Sequence, residues 1–148
     1  MDLSFGTNVV EHGYRIGRCA AIEADRLNHS VRTIVISERG TMDTRAERRP
    51  LAAIPVNHFD GDIVLRAVPG DGPKLAPADV LVLTGATRVM RGTRQIGHLA
   101  GVEVAPESGE IVSIVARHHW WTRPFQVRAP ELDFSVPGEI RVSTPLAS

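Results

Sequence analysis

The stretch ARHHWWTRPF, residues 116–125, is the densest chemistry in this chain: His118, His119, Trp120, Trp121, Arg123 and Phe125. Imidazoles bind metals, while indoles and guanidinium groups stack on bases or anchor protein partners. A zinc site needs ligands at short spacing with a second pair behind them. His118 and His119 are adjacent, so in a strand they point to opposite faces and do not chelate one ion together. The other histidines, His12, His29, His58 and His98, make no HxxxH, and the single cysteine, Cys19, makes no CxxC. The histidines are therefore assigned to surface or rim, with no metal and no cofactor expected. Nucleophile motifs of the GxSxG type and glycine-rich phosphate loops are also missing, so no catalytic residues are assigned and the protein is expected not to be an enzyme.

Charge narrows the partners. Seventeen basic residues balance 17 acidic ones. Split at residue 70, the chain has 9 of each sign before and 8 of each after. Neither half has the positive excess of a phosphate-backbone binder. Arginines do cluster, at Arg45, Arg48 and Arg49 and at Arg88, Arg91 and Arg94, and with Trp120, Trp121 and Phe125 they keep an RNA- or ribosome-associated role as the alternative reading. A small-molecule-binding barrel is weaker still, because no convergent polar set is visible. One cysteine allows no intrachain disulfide. The opening MDLSFGTNVV is unlike a secretory leader, and the longest apolar run, Val80 to Leu83, is far too short for a membrane helix. A cytoplasmic protein without membrane insertion is expected.

The elements that must position these residues are written twice. Shifted by 80 positions, residues 3–39 fall on 83–119 with identities Leu3/Leu83, Thr7/Thr87, Val9/Val89, Ile16/Ile96, Gly17/Gly97, Ala20/Ala100, Glu23/Glu103, Ile34/Ile114 and Val35/Val115. Average residue usage would supply about two. Further on, Arg49-Pro50 matches Arg123-Pro124 at an offset of 74, and Gly61-Asp62-Ile63 matches Gly138-Glu139-Ile140 at 77. The expected organisation is a first repeat over 1–70, a Pro/Gly-rich connector over 71–79 and a second repeat over 80–148. In this alignment Cys19 takes the place of Leu99, a core position. Glu23 and Glu103 take equivalent outward positions, expected to be a solvated face.

Each repeat shows short Val- and Ile-rich segments punctuated by Gly, Pro, Asn and Asp, and no sustained helical stripe. Strands are expected at 7–11, 15–25, 30–38, 48–54 and 62–68, and at 86–91, 94–104, 110–118, 124–130 and 139–144. The inward phase of the long second strand slips between Cys19 and Ile22, and again between Leu99 and Val102, which predicts a β-bulge near Ala20-Ala21 and Ala100-Gly101. Gly17 and Gly97 are expected at a sharp turn or a close backbone approach.

The order GYRIGRCAAIEAD, SVRTIVISERG, RRPLAAIP, DGDIVLRAV resembles a PRC-barrel domain, and TRQIGHLAGVEVAPESGEIVSIVAR with PGEIRVS repeats the resemblance. It implies an all-β chain of two tandem small β-barrels related by a pseudo-twofold internal duplication. The family includes a reaction-centre subunit's cytoplasmic domain, a domain of a ribosome maturation factor and many small bacterial proteins, used as docking or scaffolding modules. The resemblance therefore implies a non-enzymatic scaffold whose partner is another protein or a second copy of itself. Two barrels this small are expected to pack on each other. The candidate interface is His119, Trp120, Trp121, Arg123 and Phe125, because an aromatic pair in a strand puts one ring outward beside an arginine.

Overall fold

The computed structural model describes residues 1–41, 46–54, 61–66, 77–119 and 121–143. The chain is all-β. Strands β1 (Asp2–Ser4), β2 (Asn8–Glu11), β3 (Tyr14–Asp25), β4 (Val31–Ser37), β5 (Glu47–Pro50) and β6 (Ile63–Leu65) lie in the first half. Strands β7 (Val80–Thr84), β8 (Arg88–Arg91), β9 (Arg94–Val104), β10 (Ile111–Arg117), β11 (Phe125–Arg128), β12 (Leu132–Asp133) and β13 (Glu139–Val142) follow. They form two small barrel-like sheets, ordered β5-β4-β3-β2-β6 and β11-β10-β9-β8-β13-β12. In each, the last strand of the repeat returns parallel to the first hairpin: Ile63 beside Val9, and Ile140 beside Val89. Among the described residues no helix is long and apolar enough to cross a membrane.

The two sheets exchange strands. β1 pairs antiparallel with β9 of the second sheet, setting Leu3 opposite Val102. β7 pairs with β3 of the first, setting Leu83 opposite Ile22. Both pairings carry the 80-residue shift, so the exchange is reciprocal. All four side chains are buried, and one continuous core holds residues of both repeats. The pseudo-twofold relation recurs elsewhere: Val31 donates its N–H to the Gly109 carbonyl at 2.7 Å, and Ile111 donates to that of His29 at 3.0 Å. Neither exchanged strand was among the expected five per repeat, and β12 is a further addition. A three-residue strand with one buried side chain has no period of two to detect.

The bulges stand where phase demanded them. Cys19 faces Ile36 while Ala21 faces Val35, leaving Ala20 extra; Leu99 faces Ala116 while Gly101 faces Val115, leaving Ala100 extra. Ala20 and Ala21 are buried as well, so β3 is covered on both faces here. Two more bulges in each sheet, at Ile16 and Arg32 and at Ile96 and Val112, keep the same 80-residue relation. This much local bending lets a short sheet curl.

Gly17 and Gly97 mark close approaches of backbone. A Cβ on Gly17 would lie 2.7 Å from the Ser37 carbonyl oxygen, and one on Gly97 would lie 2.6 Å from that of Arg117. Both distances are below real carbon–oxygen contact, so a side chain at either position pushes β4 or β10 away.

The fourth strands correct the expected register. β5 ends at Pro50 and a 3-10 turn covers Leu51–Ala53, so the expected strand 48–54 is cut short; β11 is likewise followed by a 3-10 turn at Ala129–Glu131. Thr33 pairs with Pro50 and Ser113 with Arg128, an offset of 78. The Arg-Pro match at offset 74 is therefore a coincidence of dipeptides. Nine residues separate β4 from β5 and seven separate β10 from β11, a difference of two, whereas the Arg-Pro match at offset 74 against 80 implies six. Arg49 forks onto Glu11 at 2.6 and 3.0 Å, joining β5 to β2 around the first sheet.

Candidate functional site

β10 stops at Arg117, and the chain turns instead of extending the strand. Thr122 builds the turn. Its hydroxyl donates to the His119 carbonyl at 2.7 Å and accepts from the His119 N–H at 3.0 Å, and its own N–H donates to the same carbonyl at 3.0 Å. Arg117 Nη1 donates to the Thr122 carbonyl at 2.8 Å, tying the turn back to the strand. The opposite-face argument for adjacent residues therefore does not apply to His118 and His119. His118 and His119 meet edge to face with ring centroids 4.2 Å apart. The Trp121 indole lies parallel on the His119 ring, at 4.5 Å and 9°. Trp121 keeps 65% of its surface exposed.

His119 and Trp121 are thus brought together. Arg123 is exposed beyond the turn. Phe125 goes elsewhere: it opens β11 opposite Ala116, packs partly on the core, and lines a 360 Å³ groove with Asp2, Glu103 and Gln126. Trp120, the remaining interface candidate, lies outside the described residues.

The repeated carboxylates are not simply solvated. Glu23 accepts hydrogen bonds from Thr33 Oγ1 at 2.8 Å and Arg48 Nε at 2.9 Å. Glu103 accepts from Ser113 Oγ at 3.1 Å and Gln126 Nε2 at 2.9 Å. Each is the acidic member of a polar row across three strands. Asp2 of the exchanged strand stands opposite Glu103 in register, whereas Val82 stands opposite Glu23. At this position the second sheet sets two carboxylates opposite each other and the first does not, a pairing hidden from the sequence because β1 was not expected there.

Cys19 is fully buried in the core. Burial pushes its thiol up to about 12, against a weaker opposing influence from the Ala21 backbone, so it is held neutral and unreactive. No group of three or more potential metal ligands occurs among the described residues.

A second hollow, of 560 Å³, opens beside His119. Its polar lining is Arg88, Gln95, His98, Arg117 and His119; its floor is Gly85, Ala86, Leu99 and Ala100. Strand register explains the convergence. His98 of β9 stands opposite Arg88 on one side and Arg117 on the other, so three cationic or ionisable residues form one row. Arg88 also pairs with Glu139 at 2.6 Å. Gln95 Nε2 lies 3.4 Å from His98 Nε2. Sequence reasoning noted Arg88 only within a local arginine cluster, since Arg117 is 29 positions away and meets it only through β9.

No known protein family matches the chain, and no curated protein matches it either.

Proposed function

We propose that the chain is a PRC-barrel-like binding module, non-enzymatic, which docks a protein partner through the turn after β10, the partner being in the first instance a second copy of itself. The supporting observation is the Trp121 ring: large, largely exposed, and held flat on His119 by a turn closed with four hydrogen bonds. A rigid exposed aromatic loses little entropy on docking, and tryptophans beside arginines dominate interface energetics. A solvated loop has no need of such bracing.

Light scattering across protein concentration tests the proposal. The wild-type mass should rise with concentration. Trp121→Ala should weaken self-association by about 30-fold, as expected for loss of a hot spot of ~2 kcal/mol, with a small change in Tm. A variant of unchanged mass that loses only thermal stability would show that the ring is a structural plug. A mobility shift with bulk RNA that disappears as salt rises would support the nucleic-acid role instead.

A further inference from the structure

We propose that the cleft between Gly85 and His119 binds a small organic oxyanion, a carboxylate or phosphate carried on a planar ring. The inference builds on the reading of the adjoining turn as a binding surface and adds the chemistry of what enters beside it.

Charge comes first. Arg88, His98 and Arg117 stand in a row across three strands, with Gln95 and His119 beside them, and none of the described residues lining the cleft is a carboxylate. Glu139 offsets Arg88 from outside it, at 2.6 Å. Arg117 donates to a neutral carbonyl, that of Thr122, so its bond within the turn leaves its charge in place. Guanidinium and imidazole donors directed at one space suit an oxyanion. Shape comes second. The floor of Gly85, Ala86 and Ala100 over buried Leu99 is apolar and nearly free of projecting side chains, and the His119 ring stands at the margin, backed by Trp121. The volume of 560 Å³ falls in the range of small-molecule sites, about 300–1,000 Å³. Inorganic phosphate would leave the apolar floor uncovered; a ring bearing the anion covers it.

The duplication supplies a third argument. At the same turn of the first repeat stands Phe5, whose ring packs partly on the core, and Asn8 and Ser37 replace Arg88 and Arg117. Among the described residues nothing forces glycine at 85: its φ is not in the left-handed region, and a Cβ there would meet only Phe5 Cβ, at an ordinary 4.0 Å. The first repeat thus has a ring at this position and lacks these two guanidinium groups, although Arg15, Arg18 and Arg39 stand where the second has Gln95, His98 and His119; the second omits the ring and has Arg88 and Arg117.

Calorimetry on the full chain at low ionic strength tests this with benzoate, phenyl phosphate and inorganic phosphate. One of the two aryl anions should bind at least ~10-fold more tightly than inorganic phosphate, and the tighter of the two names the oxyanion. Gly85→Phe, which restores the first repeat's residue, should weaken that binding ~10-fold or more while the mass by light scattering stays wild-type. His98→Ala removes an exposed side chain outside the core and should weaken binding at least ~3-fold; it decides alone if Gly85→Phe does not fold. No heat from either aryl anion at about 5 mM, or wild-type affinity in the folded variants, overturns the inference. A chain that self-associates yet ignores the aryl anions overturns this inference alone; one that binds them yet stays monomeric overturns only the self-docking reading.

Discussion

Replacing Leu3 by alanine tests the strand exchange, because the damage should appear in the other repeat. Leu3 is the one fully buried side chain of β1, fully enclosed opposite Val102. Buried Leu→Ala changes cost about 2–5 kcal/mol, the lower end when the site collapses. At ~3 kcal/mol, and roughly 2–4 °C of Tm per kcal/mol for a chain near this size, melting should fall by about 6–12 °C. Hydrogen exchange locates the effect. The Val104 N–H donates to the Met1 carbonyl at 2.9 Å, and the Arg26 N–H donates to that of Asp79 at 2.9 Å. Leu3→Ala should accelerate exchange at Val104 beyond the global change and spare Arg26. Leu83→Ala, on β7, should do the reverse. If Leu3→Ala instead loosens β3 more than β9, or costs under ~1 kcal/mol, β1 does not hold the second sheet and the exchange is wrong.

Gly17→Val should lower Tm more than Arg18→Ala, because the new Cβ would strike the Ser37 carbonyl while the arginine is exposed; equal melting shifts would deny the close approach. Cys19 should resist aromatic disulfide reagents at pH 8 until the chain unfolds, and a fast native reaction would show that it is not enclosed. Its thiol pKa is raised by folding, from 9.0 to about 12, so the folded state holds the proton more tightly. Stability from this group is complete below pH 9 and declines as pH climbs toward 12, by about 1.4 kcal/mol at pH 10. Cys19→Ala should flatten that part of the stability–pH curve, and an unchanged slope would assign the loss to other groups.

Much of the strand pattern was legible because it is local. Val and Ile runs, the Gly and Asn turns, and the phase slip at Ala20 and Ala100 all depend on neighbours in sequence. The exchanged strands were not legible. Leu3/Leu83 was visible as an identity, but a pairing partner 99 positions away leaves no periodic trace, and the VLVLT run says only that some sheet receives it. The fourth-strand register was misjudged because an Arg-Pro dipeptide matched by chance, whereas cross-strand partners set the true offset. For the turn after β10, strand extension was the simple expectation, and the Thr122 hydroxyl defeated it by satisfying His119 locally. The cleft escaped notice because its donors come from β8, β9 and β10 and meet only once those strands are in register.

The reciprocal exchange also bears on how the chain reaches its native state. In order of synthesis β3 waits for β7, and β1 waits for β9, which ends about a hundred residues later. Neither sheet can be completed from its own half, so a half-made chain should dwell in an open, sticky state with apolar strand edges exposed. Contacts this distant in sequence make for slow closure. The same arrangement ties the halves into a single melting unit. It also gives two chains held at high concentration a ready error: β1 of one can settle on β9 of the other, making a linked pair whose every strand contact is native.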